Sequence, residues 1–508
     1  MKKIFKEIAA IFSKDKWSSE GIFALVVALV LVLNVFLTLI VQTFDLYITQ
    51  GDTTDFSISG NTDELFDDAI KDGKKIKISF CLPKEDLEFH ESGKLVHNTV
   101  LEFAERYREF VEIDYINIMT RRNKDNRLVD LAKYQKDMRG EETKLLKTSV
   151  IFECGENYRV LTDLYSTAGF APFYTLDASG RLTSYNGEEV VAAMMSWVLN
   201  DEHKTAYFTK FHTESSDPAL ANLLVCAGYY IDYIDLKSTE VPEDAAMVII
   251  SNPKTDFERG AVNTDIDSEI ERLRAYINRG GSLMITLDPY VKRLSVLEGF
   301  IAEYGISFST TTDAKSGRVA KNIVKDYSGA ITLDGFTLVA DYADSTLADA
   351  IDSKVSEYSD GNVILREVSA LELLGGAKPL LLSSPSSELE AHGGTVDKEG
   401  SYPIAAYTDV VLEGGGNAKI LVVPSVYLAA SDALVSREYS NKDFLYALFE
   451  TYFESGQAPY GCNDVLYDTS TLENLTMRSA KIYTAIIMAI PAALAIVGTV
   501  IIVKRRQR

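Results

Sequence analysis

The sequence predicts an α/β protein in which two terminal transmembrane helices flank an extracytoplasmic region. That region holds a doubly wound, mostly parallel sheet domain and a preceding smaller α/β unit. Three observations lead there. A long apolar stretch lies near each end, basic residues sit on the outer flank of each stretch, and strand-like and helix-like patterns alternate between them.

The first stretch, Gly21 to Val41, reads GIFALVVALVLVLNVFLTLIV with Asn34 as its one strongly polar side chain, and the second runs from Ile482 to Val503. Each meets the roughly 20 residues a helix needs to cross a bilayer. Pro491 in the second is tolerable because neighbouring groups can satisfy the backbone it frees. The first run is too long for a signal peptide, and no small-x-small site follows it in VQTFDLY, which favours an uncleaved anchor. Lys2, Lys3, Lys6, Lys14 and Lys16 precede the first stretch; Lys504, Arg505, Arg506 and Arg508 follow the second. Basic residues flanking a span stay on the cytoplasmic side. Both termini are therefore expected inside the cell membrane, with residues 44–480 outside it.

Those tails take nine of the 51 Lys+Arg but three of the 74 Asp+Glu, so the 440 residues from Gln42 to Lys481 carry a net charge of −29. Such an excess argues against nucleic acid, whose phosphates call for Lys and Arg. It argues equally against broad contact with anionic lipid, and a well-solvated surface accounts for most of it.

The region between the spans exceeds one core and suggests two or three domains. In 44–200, KKIKISFCL, VEIDYINI and KTSVIFEC read as strands, with YRVLTDL pairing back onto the last; VHNTVLEFAERYREF and GEEVVAAMMSWVLN read as helices, the latter with carboxylates where the helix dipole favours them. In 201–315, strands at TAYFT, YIDYIDL, AAMVIISNP and SLMITLDP alternate with helices at PALANLLVCAGY, IDSEIERLRAYINRGG and VKRLSVLEGFIAEYGI. That is the pattern of a Rossmann-like or amidotransferase-like parallel sheet, with Gly280 and Gly281 as left-handed caps. Residues 316–480 form a strand-rich continuation with a hairpin turn at GGGN and a helix at NKDFLYALFETYF. The remaining divisions are the tail 1–20, the span 21–43, the span 481–503 and the tail 504–508.

Several strings resemble the auxiliary components of ABC-type transport systems of the gliding-motility-associated, Gld-type family. These are the juxtamembrane FDLYITQGDTTDFSIS, TKFHTE (Thr209 to Glu214) followed by a helix and GYYIDYIDL, VPEDAAMVIISNP, YINRGGSLMITLDP, PLLLSSPSS and AKILVVPSVYLA. Lys210 and Phe211 stand where that family has a Gly-rich turn. The resemblance spans the chain and implies a non-enzymatic, membrane-anchored subunit that binds substrate or couples it to a transporter. Its implied partners are an ABC permease, a separate ATPase and an unidentified cargo or envelope protein.

No GxxxxGK[ST] occurs, so ATP hydrolysis would belong to another chain, and no cofactor is expected. Open α/β sheets gather ligands at the carboxyl ends of their strands. His212, Glu214, Asn252 and Asp288 fall there and form the candidate ligand site. The competing reading gives them helix-capping and turn roles. A hydrolase would need a nucleophile on a strand-to-helix elbow; Cys226 lies instead within a helical pattern and reads as core, and no GxSxG or GxCxG occurs. Neither the five histidines, with His90 and His97 seven apart, nor Cys81, Cys154, Cys226 and Cys462 make a metal pattern. The alternatives are a free-standing extracytoplasmic receptor or scaffold and, further off, a membrane-anchored hydrolase.

Overall fold

The computed structural model describes residues 58–466 apart from 90, 166–171, 177–181, 215–216, 259–267, 328–330, 333, 436–437, 457 and 463–464. The expected spans at 21–43 and 481–503 and the tails 1–20 and 504–508 lie outside the described residues. Among the described residues no helix is long and apolar enough to cross a membrane. The fold is mixed α/β with two large sheets.

The first sheet has four strands, β1 (Ile76–Phe80), β2 (Val111–Tyr115), β3 (Val150–Cys154) and β4 (Asn157–Leu161), in the order β2-β1-β3-β4. Helix α1 (Glu91–Arg106) carries the chain from β1 to the parallel β2, whereas β3 and β4 are a hairpin closed at Cys154↔Asn157. Val96, Val100 and Phe103 recur at helical spacing and are fully buried against Ile78 and Phe80 in one core.

Helix α2 (Gly187–Leu199) then leaves this sheet, and its residues from Gly187 to Val198 are all buried. A helix apolar on every side belongs inside a core rather than on a surface. It packs on β3, β4 and α1 and, on its other side, on α3 (Pro218–Cys226) of the second layer. The two sheets consequently share one hydrophobic core, although the chain passes from one to the other near residue 200. Its first-turn carboxylates, placed at sequence level by dipole sign alone, are buried and bonded: Glu188 accepts the N–H and the hydroxyl of Ser59, both at 2.6 Å, and Glu189 accepts the hydroxyl of Tyr446.

The second sheet has nine strands. Five are parallel: β5 (Thr205–Thr209), β6 (Tyr230–Ile234), β7 (Ala245–Ser251), β8 (Ser282–Thr286) and β13 (Asn417–Val423), in the order β6-β5-β7-β8-β13. The other four, β9 (Thr337–Tyr342), β10 (Val363–Arg366), β11 (Lys378–Leu382) and β12 (Pro403–Val411), extend it beyond β13 as antiparallel strands in the order β12-β11-β9-β10. The sheet is thus mixed rather than mostly parallel. The strand-rich segment continues it antiparallel, and the Leu412–Gly416 turn between β12 and β13 is too short to make a parallel crossover.

Both faces of the parallel half are covered. Alternate residues of one strand point into different cores: Met247 and Ile249 with Ala206, Phe208 and Met284 on one side, Val248 and Ile250 with Tyr207, Leu283 and Ile285 on the other. Helix α3 covers the first face, and α4 (Glu269–Asn278) with α5 (Ser295–Glu303) covers the second.

Helix α4 ends on Gly280, whose φ of +94° is the left-handed cap that its sequence signals. Gly281 has a different reason. A Cβ there would lie 2.4 Å from the ring of Tyr276, whose hydroxyl in turn accepts the N–H of Ser282 at 3.1 Å. Gly281→Ala should therefore destabilise the protein by about 1–3 kcal/mol through overpacking, read as a lower urea midpoint at unchanged slope.

Candidate functional site

The parallel strands fix where a site can form. After β5 the chain turns to α3 on one face and returns to β6; after β7 it turns to α4 on the other face and proceeds to β8. The two connections diverge at the carboxyl ends of β5 and β7, and the crevice at such a topological switch point is where open α/β sheets take ligands. An open cleft of about 520 Å³ lies there, lined by Phe208, Thr209, Lys210, Phe211, Thr213, Glu214, Asp217, Tyr233 and Ser251.

His212 is buried beside this cleft and is not part of its lining. Only 1% exposed, its ring stacks on Phe257 with centroids 3.9 Å apart and planes 6° from parallel. Its Nδ1 lies 3.2 Å from Glu214 Oε1, and its Nε2 lies 3.1 Å from Glu269 Oε2 and 3.0 Å from Oε1, with the hydrogen bond directed at Oε2. The His212 N–H donates to Glu214 Oε2 at 2.7 Å, and the His212 carbonyl accepts the N–H groups of Lys254 and Thr255 at 2.8 and 3.0 Å. Glu269 is the first residue of α4 and also accepts the Glu258 N–H at 2.7 Å. Burial works against a charged imidazole, but the two carboxylates outweigh it and raise the His212 pKa to about 9. Burial likewise works against the Glu214 carboxylate, and the hydrogen bonds from His212 hold its pKa below the usual value.

This clamp holds the turn in a conformation that side chains avoid. Phe211 and Thr213, on either side of His212, have φ of +80° and +56°. Such a left-handed backbone costs a non-glycine residue roughly 1–2 kcal/mol. Strain of this kind persists where surrounding structure over-determines it, and it clusters at ligand sites. The Phe211 ring is meanwhile left two-thirds exposed.

Asn252 and Asp288 sit at the ends of β7 and β8 and are joined by a residue the sequence did not single out. Lys254 Nζ lies 3.0 Å from Asn252 Oδ1 and 3.2 Å from Asp288 Oδ2. Asn252 Oδ1 also accepts the Asp288 N–H at 3.2 Å, and Asp288 Oδ1 accepts the Tyr290 N–H at 2.8 Å, so both side chains fix turns. The four candidates therefore occupy one edge of the sheet in two pairs, linked through the Lys254 backbone, and only Glu214 among them lines the main cleft.

Asp217, also absent from the sequence-level candidates, is more central. It caps α3 by accepting the Leu220 N–H at 3.1 Å, its other oxygen receives the Ser251 hydroxyl at 3.4 Å, and burial pushes its pKa up to about 6. It borders both the main cleft and a second cavity of about 240 Å³ bounded by Asn252, Val426 and Ser431. An Asp followed by Pro at a helix start is a legible cap signal. Glu269 carried no such signal, because it lies far along the chain from His212.

Cys226 is buried in α3, where burial pushes its thiol far up, and all four cysteines are free thiols. Among the described residues no cluster of His, Cys, Asp or Glu could hold a metal ion.

Fold and site together define an α/β protein with a cleft at the switch point of its sheet. No family model matches the chain, and no curated protein matches it. It is similar to the solved mmIFT52 N-terminal domain at 16% identity, over 50% of this chain and 98% of that one, with a TM-score of 0.35. Two putative ThuA-like proteins, from Parabacteroides merdae and Bacteroides uniformis, are each 12% identical. They cover 52% and 51% of this chain and 97% and 94% of their own, with TM-scores of 0.31 and 0.29.

The clamp has a pH signature. A pKa raised in the fold, from 6.5 to about 9 for His212, gives stability that is complete below pH 6.5 and lost as pH rises toward 9. A pKa lowered in the fold, as for Glu214, gives stability present above its ordinary 4.5 and lost on acidification. The loop should therefore be firmest between pH 4.5 and 6.5, and its amide hydrogen exchange, corrected for intrinsic rates, should quicken at pH 9. His212→Ala strands the buried Glu269 and should cost about 3–5 kcal/mol by urea unfolding at pH 6.

Proposed function

We propose that the chain is a non-enzymatic, membrane-anchored auxiliary subunit of an ABC-type transport system, its large α/β region binding cargo or an envelope partner outside the cell membrane. The observation that supports the anchoring half of this reading is the meeting of residues 59–61 with 461–466 beside the start of α2. Ser59 bonds to Glu188 at the start of α2, Val465 and Leu466 pair antiparallel with Tyr185 and Ser184 just before it, and Asn61 Nδ2 reaches the Gly461 carbonyl at 3.2 Å. Residues 59–61 and 461–466 thus lie close together, which supports a reading with anchors at 21–43 and 481–503. The transport half rests on the resemblance of the ordered strings to the Gld-type family. The absence of a phosphate-binding GxxxxGK[ST] string supports a separate ATPase. The switch-point cleft supports a binding role, because open α/β sheets take ligands at such crevices and Cys226 is a core residue.

The test is affinity purification of the tagged full-length chain from its own cell in mild detergent, with mass spectrometry of what accompanies it. A multi-span permease and a nucleotide-binding ATPase are expected in near-stoichiometric amounts. Recovery alone, or with envelope proteins only, even after crosslinking before lysis, would replace this reading with that of a free-standing receptor or scaffold.

A further inference from the structure

We propose that the switch-point cleft binds a neutral carbohydrate, with a sugar ring laid on the exposed faces of Phe211 and Tyr233; this rests on the reading of the cleft as the cargo or partner site. Four observations converge on that class of ligand.

Two aromatic rings stand at the mouth with 66% and 52% of their residues' surface exposed. Burial would normally claim such side chains. Phe211 adopts a left-handed backbone beside the clamped His212, the kind of strain that clusters at ligand sites. A pyranose presents an apolar C–H face that stacks on such rings, and its rim carries hydroxyls.

The cleft lining carries charges of both signs, which favours neither a strongly acidic nor a strongly cationic ligand. Glu214 and Asp217 would repel a phosphate or an acidic ligand. The Lys210 ammonium, 5.4 Å from the Phe211 ring centroid, would repel a cationic one. A purely apolar ligand would cover the exposed Thr213 hydroxyl and the ammonium and carboxylate beside it without bonding to them, which costs free energy for each group. Sugar hydroxyls both donate and accept, matching a lining that mixes carboxylate, ammonium and hydroxyl groups.

Thr209 supplies an independent sign. Its residue is 4% exposed at the carboxyl end of β5, it borders the cleft, and its Oγ1 is buried without a hydrogen-bond partner among the described residues. Other buried polar atoms among the described residues share that state, and Thr209 is the one among them that borders this cleft. The Ser251 hydroxyl beside it has only long bonds, 3.4 Å to Asp217 and 3.5 Å from Thr286. Finally, the cleft volume of about 520 Å³ is one that small-molecule sites commonly have.

The experiment uses the full-length chain in a detergent without a sugar headgroup, screened on an array of neutral, acidic and aminated oligosaccharides. Calorimetric titration with the best neutral binder follows. Neutral glycans should be retained selectively. Phe211→Gly, which removes the ring while relaxing the turn, should weaken binding at least tenfold with an unfolding midpoint unchanged or higher. Tyr233→Ala should weaken it similarly, and Tyr290→Ala, an exposed tyrosine outside the cleft, should leave it unchanged. Retention of acidic glycans in place of neutral ones, retention of none, or neutral binding indifferent to both cleft variants overturns the proposal. Should the chain bring down a permease and an ATPase yet hold no neutral glycan, the ligand class alone falls. If it binds neutral glycans through the cleft but purifies alone, the inference stands and the transporter assignment falls.

Discussion

Among the described residues, both large sheets pack around one helix, α2, whose residues 187–198 have no solvent side. Residues 187–198 are buried on all faces because two sheets claim them at once, the four-stranded sheet through β3 and β4 and the nine-stranded sheet through α3. Removing solvent from every face of a helix requires partners in every direction, and here they come from segments far apart in the chain. Glu189 illustrates the constraint. A carboxylate so enclosed needs its own partners. They arrive from near the far end of the described chain as the Tyr446 hydroxyl, with Lys442 Nζ 3.6 Å from its other oxygen.

Because that core is continuous, the carboxyl edge of β5 and β7 is held rigidly enough to support a turn that would otherwise relax. The clamp works through opposed terms: desolvation disfavours charge on His212, and the two glutamates restore it. One of those glutamates belongs to the first turn of α4, so the turn after β5 is tied to the helix after β7. Divergence of the two crossovers opens the cleft, and His212 ties the divergent elements together beside it.

The fold was legible in the sequence where pattern is local. Strands at 205–209, 230–234, 245–251 and 282–286 and the hairpin turn at Gly414–Gly416 stand close to where composition and turn residues put them. What could not be read was pairing at long range: nothing in Pro403–Val411 says that it runs antiparallel beside Asn417–Val423 and extends the parallel sheet. Gly281 shows the same limit on a smaller scale, since its reason is an aromatic ring rather than a backbone angle. At the candidate site the position of His212 and Glu214 after β5 was legible from strand order alone. Glu269 and Lys254, which hold them and join Asn252 to Asp288, were not, because a side chain's partner leaves no periodic trace.

The meeting of entry and exit beside α2 has a mechanical consequence. Tension on the two flanking segments would converge on a single spot, where a two-residue strand pairing, the Ser59–Glu188 bonds and the Asn61–Gly461 bond would take the load before either sheet did. The nine-stranded sheet, which shares one core with α2, would be loaded only after those contacts had parted.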